Sequence, residues 1–381
     1  MEATSENKMV YRYLGDSGLK VSILSFGNWI TGHEADAEKS QIECIKRAYE
    51  LGVNFFDTAE IYGEGQAETI MGKAIKELPC ERKDLVISTK IFSCGSGINE
   101  TFLSRKHITE AVHNSLKRLD LEYVDILFCH RPDDETPLEE TIRAMNWAIE
   151  EGYAFYWATS EWSPERISQA MEICSRLKLI RPIADQCEYS ALMRNNFEKN
   201  LRHSYESYKY GTTIWSPLAG GILTGKYNDG TIPEGTRYTD NAFAKNVVLS
   251  KYFGPKTKEN TVRILQGFQE IADELKVSMA QLGLAWCIVN QDVSTCIFGA
   301  TKIYQVEDNM KALDLAQSWT KDLETRLNEL LGNEPAPDRD FNKWAPKAPR
   351  RGIRVDYNIA PVSVPLIFEM FQESTLNPDK K

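Results

Sequence analysis

No apolar run in the chain approaches the ~18 residues that a membrane-crossing helix needs. The greasiest late stretch, residues 359–371, is broken by Pro361, Pro365 and Glu369, so no membrane insertion is expected. Positive charge is also scarce, since 45 Lys and Arg stand against 55 Asp and Glu for a formal net charge of -10. That balance argues against a nucleic-acid partner or a broad anionic-membrane face. The eight cysteines contain no C-x-x-C pair. In a chain of this length they read as reduced thiols of a cytoplasmic protein. The five histidines form no H-x-H pair and no cluster with cysteine, so no metal is expected. A serine hydrolase is excluded because no G-x-S-x-G elbow occurs. The first residues, Met1 to Lys8, are acidic and polar, so no secretory signal is expected.

What is present is apolar residue in quantity, 42% of 381 residues, enough to bury one large decorated α/β domain. Strand-like runs fall near 21–27, 53–57, 85–89, 124–129, 155–159, 183–187, 212–216 and 295–298, eight in all, the count a closed barrel requires. Helical periodicity fills the gaps, as at Ile42, Cys44, Ile45, Ala48 and Tyr49, with Gly52 as a stop. Helix starts are expected at Thr136-Pro137 and Ser163-Pro164, each a hydroxyl residue before a proline, and another helix near Glu259. Strand-helix repetition of this length implies parallel pairing with right-handed crossovers, a (β/α)8 TIM barrel. Ahead of it, Tyr11–Leu14 and Leu19–Val21 flank the turn Gly15-Asp16-Ser17-Gly18 as a β-hairpin cap. The expected division is a flexible N-terminus at 1–9, the barrel at 10–332, and an extended Pro- and charge-rich C-terminal tail at 333–381.

Successive strands stop at titratable residues. Asn54–Asp57 leads to Tyr62, Leu85–Thr89 to Lys90, and Val124–Cys129 to His130. A carbonyl that accepts hydride develops negative charge on oxygen, so a positioned proton donor lowers the barrier. A phenol ordinarily titrates near about 10, and a neighbouring ammonium favours its ionised form. Tyr62 is accordingly the candidate general acid, Lys90 the group that lowers its pKa, Asp57 the lysine's partner, and His130 the orienting group. A lone Tyr at such a junction is more often packing, and a lone Lys–Asp pair more often structural. Four suitable residue types at successive strand ends favour a common site at the barrel's C-terminal face.

In this order the four residues resemble the aldo-keto reductases, a family of nicotinamide-dependent barrel oxidoreductases. The resemblance covers about residues 10–335 and implies reduction of aldehydes or ketones with NADPH/NADP+. The run Gly63–Glu68 is not a Rossmann phosphate loop, because Glu68 stands where the third glycine belongs. The family instead implies a cofactor laid across the barrel mouth. On that likeness Trp215, Ser216, Pro217, Leu218 and Gly220 belong to the seventh-strand motif, whose backbone amides meet pyrophosphate. Lys226 and Arg237 would meet the adenosine phosphates, although both also read as solvated loop charges. Gly299, Thr301, Gln305, Asp308 and Asn309 match the motif after the eighth strand, with Thr301, Gln305 and Asn309 on one helical face. Ser160 and Gln186 match carboxamide-holding positions, and Asn28 and Trp29 match the first-strand loop.

Within the family the chain is similar to the β-subunit branch of voltage-gated potassium channels, through residues 140–145, 154–163 and the Trp215 motif. Animal members of that branch usually carry Asn where this chain has His130 and Arg where it has Glu161, and Ala158 replaces a usual Gly in the fifth strand. The restored His130 favours an active reductase. The branch implies a homotetramer and, as an alternative function, a cytoplasmic subunit that binds NADP(H) structurally beside a potassium channel α subunit. Trp29, Phe92 and Trp162 point to an apolar substrate such as an aryl aldehyde.

Overall fold

Short β-rich segments with apolar residues on both faces cannot leave either face to water, and this chain closes them into a ring. The computed structural model describes residues 8–29, 37–240 and 244–337. Two antiparallel strands, β1 (Tyr11–Tyr13) and β2 (Lys20–Ser22), form the expected hairpin. Eight parallel strands follow: β3 (Leu24–Gly27), β4 (Phe55–Asp57), β5 (Val86–Ile91), β6 (Val124–Cys129), β7 (Ala154–Ser160), β8 (Ala184–Gln186), β9 (Gly211–Ile214) and β10 (Thr295–Phe298). They close as a barrel in chain order, β10 pairing with β3.

One expected strand divides. The run 21–27 is not continuous: Ser22 ends the hairpin, the chain bends at Ile23, and the barrel strand starts at Leu24. Alternation alone misses this, since Val21 and Leu24 are both buried but belong to different sheets. Ser163 caps its helix, Pro164–Leu177, by accepting from the Arg166 amide at 3.2 Å. Thr136 does not cap: the helix there runs Leu138–Glu150 with Pro137 at its N-cap and no side-chain cap bond. The helix expected near Glu259 spans Lys258–Leu275.

Period-2 alternation sorts each barrel strand into two faces. Phe56, Ile87, Leu127 and Trp157 face outward into the main core shared with the helices. Phe55, Val86, Ile126, Phe128, Ala158 and Ala184 face inward and form a separate cluster with Leu14 and Val21 of the hairpin. The hairpin therefore plugs the barrel's N-terminal end. It sits close because Gly15 and Gly211 have no side chains: a Cβ on Gly15, whose φ is +58°, would lie 2.5 Å from the Gly211 nitrogen. Lys8 pairs with Asp314 at 2.7 Å and Met9 is buried, so docked chain begins before residue 10. The compact unit closes at Pro335. The expected tail lies, from residue 338 onward, outside the described residues, as do residues 1–7.

Candidate active site

Moving up the same inward faces, the apolar plug gives way to polar groups. Phe55 is followed two residues later by Asp57, Val86 by Ser88 and Lys90, Phe128 by His130, Ala158 by Ser160, and Ala184 by Gln186. The four sequence-predicted residues meet there. Lys90 is fully buried, with its ammonium 2.5 Å from Asp57 Oδ2, 2.7 Å from the Thr58 carbonyl and 3.4 Å from the Tyr62 hydroxyl. Asp57 is held from its other side, where Oδ1 accepts from Ser88 at 2.6 Å and from Gln186 at 3.2 Å. The His130 ring stands edge-on to Tyr62 at 5.6 Å, and Trp29 lies 6.3 Å from Tyr62 on another side.

The electrostatics correct one expectation. Lys90 does pull the Tyr62 pKa down, but the phenol's pKa is raised overall, because burial outweighs the ammonium and Asp57 adds to the rise. Although the tyrosine is half-buried as a whole, desolvation of its hydroxyl is the largest cause. Asp57 sits closer to the ammonium than Tyr62 does and so neutralises much of the field that would ionise the phenol. The tyrosine is thus stored as a proton-bearing donor. His130 is pushed well below the ordinary imidazole range by burial, then by Lys90 and Arg131, so its ring is neutral at neutral pH.

Ser160 and Gln186 also converge on this end: Ser160 Oγ donates to the Gln186 carbonyl at 2.8 Å and accepts from Arg131 at 3.1 Å. Trp215 follows β9, and its indole N–H donates to Glu161 Oε1 at 2.8 Å, while the Arg131 guanidinium lies 5.9 Å from its ring. The same Glu161 oxygen accepts the Glu188 amide at 2.7 Å, and Glu188 in turn binds Lys251 at 2.8 Å. Glu161 is therefore what orients the tryptophan. Asn28 is buried, donates to the Ala67 carbonyl at 2.6 Å, and leaves its Oδ1 without a partner.

The outer predicted residues are more dispersed. The turn after Trp215 winds tightly, with left-handed φ at Ser216, Ala219, Gly220 and Gly221. The amides of Ala219, Gly220, Gly221 and Leu223 are bonded within that turn to Ser216 and Leu218, so those four are already occupied. Pro217 is buried and Lys226 is exposed. Arg237 opens a short helix, Arg237–Asp240, and its side chain lies outside the described residues. Beyond Gly299, Thr301 is not on the helix as expected: the helix is Ile303–Met310, and the Thr301 amide is capped by Gln305 Oε1 at 2.9 Å. Asp308 accepts from Ser278 and Gln281 at 2.7 and 2.6 Å, and Asn309 is buried. Trp162 is 1% exposed within the main core, unlike Trp29 at 39%.

Sequence reasoning missed Ser88 and Arg131. Ser88 had a signal, since it lies two residues before Lys90 and shares its face. Arg131 had none, because its contacts to Ser160 and Trp215 depend on how neighbouring strands are brought together.

Residues 23–326 match the model of the Aldo/keto reductase family. A probable voltage-gated potassium channel subunit beta of Arabidopsis thaliana is 47% identical over 330 residues, covering 86% of this chain and 98% of that protein. The probable subunit beta of Oryza sativa subsp. japonica is 46% identical over 86% of this chain and 98% of its own length. The putative subunit beta of Schizosaccharomyces pombe is 46% identical over 85% and 94% respectively.

Proposed function

Since the chain belongs to the aldo/keto reductase family, a family of nicotinamide-dependent oxidoreductases, we propose that it reduces aldehydes or ketones to alcohols with NADPH and with Tyr62 as general acid. The observation that carries this reading is the buried Asp57–Lys90 pair placed 3.4 Å from a proton-bearing phenol. The donor set suits a nicotinamide: Ser160, Gln186 and the unpartnered Asn28 Oδ1 offer amide-type partners, and the Trp215 ring offers a fixed aromatic face. When bound, NADPH supplies the hydride to the carbonyl carbon. Tyr62 gives its proton to the carbonyl oxygen as charge grows there, and the Lys90 ammonium stabilises the phenolate left behind. Neutral His130 holds the carbonyl oxygen or the phenol by a hydrogen bond. Lys226 and Arg237 favour the 2′-phosphate that distinguishes NADPH from NADH. Trp29 and Phe92 favour an aryl-type carbonyl substrate.

Tyr62→Phe tests the assignment. Turnover of nitrobenzaldehyde is expected to fall by about 10²–10⁴-fold, the range general acids contribute. NADPH affinity, read by fluorescence titration, stays as it was, and NADPH binds more tightly than NADH. Undiminished turnover in Tyr62→Phe removes the assignment.

The names of the relatives favour a second, compatible reading, in which the chain is a cytoplasmic β subunit, assembled as a homotetramer, on a voltage-gated potassium channel α subunit. Among the described residues no helix is long and apolar enough to cross a membrane. Co-purification with a channel tetramerisation domain supports it; failure of the two to associate at micromolar concentrations sets it aside.

A further inference from the structure

Outside the catalytic cluster, one set of side chains converges without serving the proposed reaction. Glu60 follows β4, Cys94 lies in the loop after β5, and His107 is in the first turn of the helix Arg105–Leu119. Among the described residues these are the one group of three or more His, Cys, Asp and Glu with candidate ligand atoms all within 4.8 Å of one another. Glu60 and His107 are 1% and 2% exposed, whereas Cys94 is exposed. Glu60 Oε1 is occupied, accepting from the Phe92 amide at 2.6 Å and lying 3.2 Å from His107 Nε2. Its other oxygen, Oε2, is buried and has no hydrogen-bond partner.

A buried ion pair that merely fastens a turn explains Oε1 and leaves Oε2 unexplained. An unpaired buried carboxylate oxygen is costly, and a cation satisfies it where no donor does. We propose that Glu60, Cys94 and His107 form a binding site for a borderline-soft divalent cation, Zn²⁺, with a fourth position open to water.

The donor types decide the metal. Imidazole and thiolate with one carboxylate suit zinc, whereas calcium and magnesium want all-oxygen shells of six or more. One thiolate and one carboxylate also cancel the charge of the ion, which a site with two buried ligands needs. Tetrahedral zinc holds N, S and O ligands about 3.5 Å apart. The group, already within 4.8 Å, need contract by at most about 1 Å, a movement open to the exposed Cys94 side chain. Its loop is otherwise pinned, since Cys94 N donates to the Glu100 carbonyl at 3.1 Å and Phe102 N to the Phe92 carbonyl at 2.6 Å. On binding, the Cys94 S–H bond breaks, an S–Zn bond forms and one proton leaves to solvent. The imidazole ligates through the Nε2 lone pair with its proton on Nδ1. No electrons are transferred.

The test uses the full chain, with Co²⁺ as a spectroscopic substitute for Zn²⁺. One Co²⁺ per chain is expected, with a thiolate-to-metal charge-transfer band that Zn²⁺ bleaches by displacement. Cys94→Ser, a change at an exposed position outside the proposed catalytic machinery, should abolish the band and weaken Zn²⁺ binding by more than about tenfold. Glu60→Gln should weaken binding but keep the band. Absence of a stoichiometric site in the full chain, or an unchanged band in Cys94→Ser, overturns the proposal.

Discussion

The two ends of one barrel interior are made by the same strands and come out chemically opposite. At the N-terminal end, Phe55, Val86, Ile126, Phe128, Ala158 and Ala184 pack against Leu14 and Val21 and exclude water. At the C-terminal end, the next inward positions on those strands are Asp57, Ser88, Lys90, His130, Ser160 and Gln186. Burial hardly differs, for Lys90 is as inaccessible as Phe55. What differs is closure. A hairpin seals the lower end, where the buried polar side chains Thr295 and Ser25 are uncharged and bond each other at 2.8 Å, while the upper end admits charge because Lys90 and Asp57 pair across strands.

Substitutions can break this contrast in order of expected effect. The largest effect is that of Tyr62→Phe, which removes turnover through a single oxygen and leaves the denaturant midpoint nearly unchanged. Lys90→Met comes next and crosses the divide, since it strands Asp57 as a buried carboxylate. Urea unfolding should show a loss of about 3–5 kcal/mol together with lost turnover. Adding Asp57→Asn should restore stability but not activity. If the double variant is as unstable as Lys90→Met, the cost lies in packing rather than charge. Leu14→Ala acts only at the lower end, lowering stability by about 2–5 kcal/mol with kcat nearly intact. A fall in kcat matching the fall in stability would mean the two ends are not independent.

The smallest effect is in pH. Folded His130 has its pKa pushed far below the usual 6.5 by burial, then by Lys90 and Arg131. Between the folded and unfolded values the unfolded chain binds the extra proton, so stability rises with pH there. The contribution is complete above about pH 6.5 and declines as pH falls below it. His130→Asn should flatten that part of the dependence when urea midpoints at about pH 7 and about pH 5 are compared. An equally steep dependence assigns the titration to other groups.

Much of this contrast is legible in the chain. Eight strand positions, the hairpin and the four residues at strand ends follow from alternation and local turn chemistry, and those signals are local. The errors fell where local signals compete. Val21 and Leu24 are both apolar, so no alternation marks the bend between two sheets. Thr136 and Ser163 present the same hydroxyl-proline pattern, yet only the Ser163 oxygen accepts a helix amide as a cap. The Tyr62 pKa went the other way because burial of its hydroxyl outweighs the ammonium's pull, which sequence spacing cannot weigh.

Sequence by itself determined which residues face inward, since a two-residue repeat along a strand leaves no freedom in that choice. It therefore determined that an aspartate, a lysine and a histidine would share one side of a sheet. The tertiary structure decided distances and fields: closing the barrel brought Asp57 nearer to Lys90 than Tyr62. It also set Glu161 against the Trp215 indole N–H, and drew Glu60, Cys94 and His107 together from three separate segments. Those outcomes rest on electrostatics and contacts that vary with separation in space, which separation along the chain does not encode.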